Sequence, residues 1–389
     1  VTTELSWRYV FAAETVIVIA ILVLRRQLRP APRLAQPPRL DAVGVALSAT
    51  GLGLAVFGVL KSSQWGWIEP LGALTIDGTE ITPLGFSVVP FLILAGLALL
   101  AGFASWEERR ERLGLDTLLD RSLLKIETLR AGLSTLMMQQ LILLGTFFIL
   151  PVYLQVVLGL DAFETGKRLF PMSVAMLVAA LGGPRLAAIF APKRVAQAGL
   201  VALVAAAVVL LGTIDVELNG GTFALALALF GVGAGLLLSQ LGNVIMSSVE
   251  PEQTNEAGGL QGTAQNLGAS LGTAVIGSVL IAALTSGFVA KVEQNPDLPQ
   301  QARARIVDAA SAGIPVVPVD QVQQVARENG LSEEQASSVA DDYGDAQLDG
   351  LKRALGAVAV LAFLSLWFTR RLPGQAIRAG PGEPVAVAS

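Results

Sequence analysis

The 389-residue sequence contains no cysteine and no histidine. These absences exclude disulfide bonds and a cysteine nucleophile, and they remove the usual Cys/His ligands of a zinc site. A Ser-His-Asp triad is excluded for the same reason. Any proton that the protein binds or transfers must therefore be held by aspartate, glutamate, lysine or tyrosine.

Charged residues are also scarce. They make up 15% of the chain, whereas a soluble domain carries roughly 25%. Hydrophobic residues reach 53%, and the mean hydropathy is +0.62. This composition indicates an integral membrane protein rather than a soluble enzyme, and we expect neither a cofactor nor a metal site. The net charge of −4 leaves no basic excess for binding nucleic acid.

Long apolar stretches recur along the chain, and a helix needs about 20 such residues to cross a bilayer core. We count nine, which lie at or within residues 7–24, 42–60, 81–106, 131–160, 169–189, 195–214, 218–249, 257–290 and 351–369. The predicted fold class is therefore all-α, a polytopic membrane helical bundle of about nine transmembrane helices.

Lysine and arginine gather in alternate connections between these stretches. Of the 27 basic residues, 17 fall on the side that holds residues 25–39 and 370–378. Because loops rich in positive charge stay in the cytoplasm, we expect the N-terminus outside and the C-terminal tail, residues 372–389, inside. Arginine outnumbers lysine 21 to 6, which is typical of GC-rich bacterial genomes. The expected location is a bacterial plasma membrane, which the chain crosses several times.

One long polar segment, residues 286–350, precedes the last span and is predicted to be an extracytoplasmic loop. Together with its flank to residue 353 it carries eleven acidic and six basic residues. Helical spacing within it predicts short helices at 299–312, 319–329 and 332–348, and Ser332 followed by Gln335 indicates a capped helix start. We interpret these as surface helices; docking of a partner and gating of a substrate are the alternatives.

Polar side chains inside membrane spans are costly and often functional. Five amides are therefore candidates for lining a substrate cavity, and the alternative for each is a hydrogen bond between helices. They are Gln139 and Gln140 in the fourth span, Asn243 in the seventh, and Gln265 and Asn266 in the eighth.

Small residues at four-residue spacing allow helices in lipid to approach closely. Gly231 and Gly235 have this spacing in the seventh span, and Gly268 and Gly272 have it in the eighth. Pro151 is expected to kink the fourth span near its outer end, and a kinked helix of this kind can form part of a gate.

Carboxylates matter for proton coupling because histidine is absent. Glu14 lies two turns inside the first span and is the proton-coupling candidate, since burial can raise the pKa of a glutamate by several units. The alternative is an interfacial side chain, either exposed or paired with Arg8.

Several motifs, in order along nearly the whole chain, resemble the fourteen-span drug:proton antiporter branch of the major facilitator superfamily. They are Trp7-Arg8-Tyr9-Val10-Phe11; Asp41-x-x-Gly44 with Gly51, Leu52 and Trp65-Gly66-Trp67; Pro151-Val152-Tyr153-Leu154-Gln155 with Gly159, Thr165-Gly166 and Pro171; and Glu256-Ala257-Gly258-Gly259 with Gln265-Asn266-Leu267-Gly268.

The resemblance implies a domain organisation. Residues 1–28 correspond to the last helix of the N-terminal bundle, 41–106 to an inserted two-helix hairpin, and 129–371 to the C-terminal six-helix bundle. The first five helices of the family pattern have no counterpart here, and we expect a truncated chain or a second chain that supplies the missing N-terminal bundle.

The function that the resemblance implies is proton-coupled export of drug-like, hydrophobic or cationic compounds. Two bundles would rock about a substrate between them, with the fourth, fifth, seventh and eighth spans lining the cavity. The expected partners are the lipid bilayer, a small-molecule substrate and protons. The alternatives are a non-transporting membrane fragment or scaffold subunit, and a symporter or lipid exporter of the same superfamily.

Overall fold

The computed structural model describes residues 8–24, 41–70, 74–76, 79–115, 117–120, 122–311 and 314–374. Eleven α-helices occur in these ranges, and their bounds are α1 Arg8–Leu24, α2 Ala42–Trp65, α3 Val88–Arg112, α4 Glu127–Pro151, α5 Ala162–Ile189, α6 Pro192–Leu211, α7 Gly220–Ser247, α8 Thr254–Gln294, α9 Gln300–Ser311, α10 Val319–Glu328 and α11 Glu333–Ser365. The predicted all-α class is confirmed. Two three-residue strands, β1 Leu74–Ile76 and β2 Thr79–Ile81, pair antiparallel between α2 and α3.

Eight of the described helices are long and apolar enough to cross a membrane. They are α2 to α8 and α11, and they match the second to ninth predicted spans. The first predicted span corresponds to α1, which is apolar but has only 17 residues, and its predicted start at Trp7 lies outside the described residues. At 1.5 Å per residue α1 extends only about 25 Å, slightly less than a typical hydrocarbon core.

The long helices form a bundle with α4 near its centre. α4 packs against α8, α7 and α11, while α7 lies between α5 and α6, and α11 closes the bundle against α8 and α6. Leucine, alanine and aromatic side chains from α4, α6, α7 and α11 fill the shared core. α2 and α3 pair with each other as an antiparallel hairpin, and α2 docks on α8, where the hydroxyls of Ser62 and Ser278 lie 3.4 Å apart.

The bundle has two distinguishable ends. We call the end that carries α9 and α10 the cap end, and the opposite end, where α2 begins and α3 finishes, the basal end. α4, α6 and α8 also begin at the basal end, and α5, α7 and α11 finish there. α8 runs parallel to α4, and α7 runs parallel to α5 and antiparallel to α4, as the residues that face the glycines of these helices show. The start of α8 lies beside Asp120, and the start of α6 lies beside Arg370, just beyond the end of α11.

The predicted loop at 286–350 is largely helical, and its bounds need correction. α8 continues to Gln294, and the predicted helix 332–348 and the last span form one unbroken helix, α11. The 41 residues of α8 extend about 60 Å, roughly twice the thickness of a bilayer core. α11 stays regular beyond the bundle because its residues Val339, Tyr343 and Ala346 are buried in a hydrophobic cluster with the end of α8.

We call α9, α10 and the adjoining ends of α8 and α11 the cap. It has a hydrophobic core of its own, built from Leu284, Phe288, Val292, Leu298, Ala310, Val339, Tyr343 and Ala346. The helices predicted at 299–312 and 319–329 are confirmed as α9 and α10. The predicted start at Ser332 is confirmed as a complete capping box with Gln335.

Candidate functional site

Glycines hold α7 against α5. A Cβ atom added to Gly231 would lie 2.2 Å from the carbonyl oxygen of Met172, and one added to Gly235 would lie 2.3 Å from that of Met176. Only glycine fits at these two positions, because the obstructing atoms belong to the backbone and cannot rotate away.

The same arrangement holds α8 against α4. A Cβ on Gly268 would lie 2.3 Å from the carbonyl oxygen of Met137, and a Cβ on Gly272 would lie 2.3 Å from that of Leu141. The two glycine pairs therefore fix two helix pairs, α5–α7 and α4–α8, at backbone contact. These are the four spans expected to line the cavity.

Gln139 is buried in the middle of the bundle between α4 and α7. Its Nε2 donates to the carbonyl oxygen of Ala234 over 3.3 Å, while its Oε1 is buried without a hydrogen-bond donor in the described residues. Gln140 is half-buried, and its Cβ lies beside Gly268. Gln139 therefore carries an unsatisfied acceptor at a depth where one is expensive to leave unpaired.

The other three amides lie nearer the basal end. Gln265 is half-buried, Asn243 is exposed, and Asn266 is exposed and donates to the carbonyl oxygen of Gly262 on its own helix over 2.9 Å. Since Gly268 faces Met137, Gln265 is level with residue 134, about 8 Å along the axis from Gln139. The structure thus places the five predicted residues at two levels and not in one cluster.

Two further amides, Gln240 on α7 and Gln261 on α8, place buried polar atoms between the helices, although sequence reasoning did not select them. Gln240 donates to the carbonyl oxygen of Gly183 over 3.1 Å and to the hydroxyl of Ser239 over 3.0 Å, which ties α7 to α5. Gln261 on α8 has a buried Oε1 without a donor, and its Nε2 points toward Gly242 on α7. Their polar character is visible in the sequence, but their burial depends on the neighbouring helix.

Pro151 ends the regular part of α4. A π-helical turn, Val152–Val157, follows it, and the chain then reverses at Gly159, whose φ of 65° favours glycine. Tyr153 within this turn is fully buried, and its hydroxyl donates to the carbonyl oxygen of Asp215 over 2.7 Å. The proline therefore marks an irregular segment that is tied to the connection between α6 and α7.

Glu14 lies on α1, and its side chain is exposed, as is every other α1 side chain whose exposure the structure describes. A proton-coupling role for Glu14 stays a prediction. Among the described residues, no group of three or more acidic side chains is placed to hold a metal ion.

An apolar groove of about 850 Å³ runs along the surface shared by α5 and α7. Phe170, Val174 and Val178 line it from α5, and Val232 and Leu236 line it from α7. Arg185 is the one charged residue in its lining, near the basal end of α5. The groove suits an apolar molecule of drug size or a lipid chain.

Carboxyl groups cluster at the basal end of the α2–α3 hairpin. Asp41 caps the start of α2 and accepts hydrogen bonds from Gly44 N at 3.0 Å and from Trp106 Nε1 at 3.0 Å. The Arg110 Nε lies 3.5 Å from the same carboxyl group. Burial opposes the charge on Asp41, but these donors outweigh it and hold the pKa of Asp41 below its ordinary value.

Glu107 approaches Asp41 from the turn of α3 that precedes its last one and is 2% exposed. Sequence reasoning missed it because the third span was expected to end at residue 106, whereas α3 continues to Arg112. Glu107 is visible in the sequence as an acidic residue one turn before Arg110 and Glu111. A run of charged residues at a helix end is ordinarily exposed to solvent, so the pattern offered no reason to select it.

The architecture defines the class of protein as a polytopic α-helical membrane bundle, with glycine-packed helix pairs and amides in its interior. The family model of the Major Facilitator Superfamily matches residues 1–273, and the chain belongs to this superfamily of membrane transporters. This agrees with the resemblance drawn from the motifs.

Characterised relatives include exporters of antibiotics and drugs. The chain is 30% identical over 312 residues to a probable actinorhodin transporter of Streptomyces coelicolor, a match that covers 79% of this chain and 50% of the relative. It is 28% identical over 371 residues to the tetracenomycin C resistance and export protein of Streptomyces glaucescens, covering 95% and 64%. It is 25% identical over 323 residues to the multidrug efflux pump LfrA of Mycolicibacterium smegmatis, covering 82% and 60%. The chain thus spans about half to two thirds of the length of these relatives.

Proposed function

We propose that this chain forms the C-terminal bundle and inserted hairpin of a proton-coupled exporter of drug-like, hydrophobic or cationic compounds. The observation that carries the proposal is its membership of the Major Facilitator Superfamily, together with relatives named as antibiotic and multidrug exporters. Export would proceed by alternating access, in which two bundles rock about a central substrate. The second bundle would come from an N-terminal set of helices, either in the same protein or in a partner chain.

The substrate path in this proposal runs along α4, α5, α7 and α8. Backbone contact at Gly231, Gly235, Gly268 and Gly272 supports rigid helix pairs that can move as units. The unpaired Oε1 of Gln139 is an acceptor available to a polar group of a substrate in an otherwise apolar bundle. We assign Gln139 the leading role among the five amide candidates for this reason.

The proposed orientation places the basal end in the cytoplasm and the cap outside. The basal ends of α3 and α6 carry Arg109, Arg110, Arg112, Lys193 and Arg194, and this enrichment supports a cytoplasmic side. In this orientation substrate leaves toward the cap end while protons move toward the basal end.

Efflux of a fluorescent dye from bacterial cells tests the proposal. Cells that produce the transporter containing this chain should retain less dye than cells with the empty vector, and an uncoupler should abolish the difference. Efflux that persists with the uncoupler would contradict proton coupling. An inserted protein that moves no dye and confers no drug resistance would favour the scaffold alternative.

A residue-level test uses two matched changes. Gln139→Leu should lower efflux several-fold because it removes the unpaired acceptor, whereas Gln155→Leu makes the same chemical change at an exposed position in the π-helical turn. Equal membrane levels of both variants are the control. Equal efflux by both variants would remove Gln139 from the substrate path.

A further inference from the structure

Two buried carboxyl groups meet at the basal end of the α2–α3 hairpin. Asp41 is 4% exposed and Glu107 is 2% exposed. A Cβ atom placed on Gly44 would lie 2.3 Å from Asp41 Oδ2 and 3.0 Å from Glu107 Oε1, so both oxygens border the same small space.

The two oxygens of Glu107 have different surroundings. Oε2 accepts hydrogen bonds from the backbone N–H groups of Leu118 at 2.9 Å and Leu119 at 3.1 Å. Oε1 is buried without a donor in the described residues and faces Asp41. An ionised Glu107 would therefore direct an unpaired, negatively charged oxygen at a second carboxylate.

We propose that Asp41 and Glu107 form a proton-binding site, in which Glu107 is protonated on Oε1 and donates a hydrogen bond to Asp41. Two adjacent buried carboxylates disfavour a double negative charge, and one shared proton turns their repulsion into a hydrogen bond. The proton resides on Glu107 because Asp41 already accepts from Gly44 N and Trp106 Nε1, which stabilise its ionised form.

The charges around the pair agree with a single proton. Arg110 from α3 lies beside Asp41, so an ionised Asp41 and a neutral Glu107 leave this small space without net charge. Asp120, from the segment at residues 117–120, directs its carboxyl group toward Gln253 and Ser122. Glu256 of α8 accepts the backbone N–H of Asp120 at 2.8 Å. Asp120 and Glu256 are themselves acids, so they cannot offset the negative charge of an ionised Glu107.

The proton site is connected to the bundle through a short stretch of chain. Glu107 holds the backbone at Leu118 and Leu119, and the next residue, Asp120, is bound to Glu256 and Gln253 at the start of α8. Loss of the proton would place a second charge in the buried space and loosen this attachment. Proton occupancy at Glu107 would therefore control how firmly the hairpin docks on the bundle. The site stands whether or not the chain belongs to a drug exporter.

Infrared difference spectroscopy on the purified full protein tests the site directly. As pH is raised, the wild-type protein should lose a carbonyl band of a protonated carboxylic acid. Glu107→Gln should lack that band, whereas Glu108→Gln, the same change at the neighbouring exposed residue, should retain it. Asp41→Asn removes the like charge and leaves only a neutral amide oxygen as acceptor, and it should shift the pH at which the band disappears. A band that survives in Glu107→Gln would overturn the proposal.

Cross-linking provides a second measurement, and its main readout is taken on a protein that keeps both Asp41 and Glu107. The chain has no cysteine, so Ser62→Cys with Ser278→Cys gives one defined pair across the α2–α8 contact. The rate of disulfide formation should change over the same pH range in which the infrared band is lost. The same pair combined with Glu107→Gln should show no such change in rate over that pH range. If the otherwise wild-type protein showed no change in rate over this range, the proposal that the proton controls docking of the hairpin on the bundle would be refuted.

Discussion

The two ends of the molecule are held together by different chemistry. At the cap end, Tyr343 is fully buried, its ring lies edge-on to Phe288 at a centroid distance of 5.7 Å, and its hydroxyl donates to the carbonyl oxygen of Pro315. At the basal end, side-chain oxygens of the acids Glu107 and Glu256 accept hydrogen bonds from backbone N–H groups of the segment at residues 117–120.

This difference separates a rigid end from a responsive one. Apolar burial and neutral hydrogen bonds do not change with pH, so the core of the cap should keep its structure over a wide pH range, while the ion pairs Lys291–Asp345 and Arg327–Glu333 lie outside that core. The charge of a carboxyl group, and with it the strength of its contacts, changes when it gains or loses a proton, so the basal end should respond to pH. Between the two ends, the contacts of the glycine-packed helices depend on the close fit of their backbones and not on charge.

The largest effect is expected from removing the aromatic centre of the cap. Tyr343→Ala leaves a cavity against Phe288 and should lower the free energy of unfolding of the cap by about 3–5 kcal/mol. Hydrogen exchange should show faster exchange in α9, α10 and the cap ends of α8 and α11. Exchange in α4 and α7 should be unchanged.

Tyr343→Phe is the matched control. It keeps the ring but removes the hydroxyl that bonds Pro315 O and Val317 N, and should cost about 1–2 kcal/mol. If Tyr343→Ala accelerated exchange in α4 and α7 as strongly as in the cap, the cap would not be a separately stabilised unit.

The next effect tests the shape-dependent middle of the molecule. Gly272→Ala forces a methyl group against the Leu141 carbonyl oxygen and should lower stability by about 1–3 kcal/mol in thermal unfolding of the purified protein. Gly262→Ala lies on the same helix with no atom within 4 Å of the added Cβ, and it should be neutral or slightly stabilising. Equal losses for both variants would show that the close contact between α8 and α4 at Gly272 is not the cause of the loss.

The basal end should be weakened by acid through Asp120. Hydrogen bonds from the hydroxyl and backbone N–H of Ser122 and from Gln253 hold the pKa of Asp120 below its ordinary value. Folding therefore favours the ionised form, so its contribution is complete above the ordinary aspartate pKa of about 3.9 and is lost as pH falls below it.

Asp120→Asn should remove this acid dependence. The variant should be less stable than wild type at neutral pH, by roughly 1 kcal/mol, and the two should converge in thermal unfolding as pH is lowered toward 3. Asp308→Asn, an exposed acid in α9, provides the matched change in the cap. A constant difference between Asp120→Asn and wild type at every pH would contradict the assignment.

Local patterns predicted the helices well. Eight spans follow from runs of apolar residues, and α9, α10 and the capping box at Ser332 follow from helical spacing and a four-residue motif. The join between the predicted helix 332–348 and the last span was missed because residues 286–350 were assigned to a polar loop and the span was expected to begin only at residue 351. In the structure, Tyr343 and Ala346 keep that stretch packed on α8.

The site could be predicted only in part, because side-chain surroundings depend on distant chain segments. Gln139 is buried by its contact with Ala234, 95 residues away, while Asn243 has similar polarity and stays exposed. Glu107 acquires its partners from Asp41 and from the backbone at Leu118 and Leu119. Glycine spacing was a better guide, since a small residue every fourth position has few uses in a membrane helix other than close packing.

The smallest effect tests the edge of the cap. Ser332→Ala removes the side chain that accepts from Gln335 N and should cost about 0.5–1 kcal/mol, because one N–H of the first turn of α11 loses its partner. Hydrogen exchange should accelerate at residues 333–336 and stay unchanged at the basal end. Ser337→Ala, an exposed serine five residues further along the same helix, is the control and should leave that exchange unaltered. If Ser332→Ala also accelerated exchange at residues 117–120, the two ends would be coupled along α11 and α8, and the division into a rigid end and a responsive end would fail.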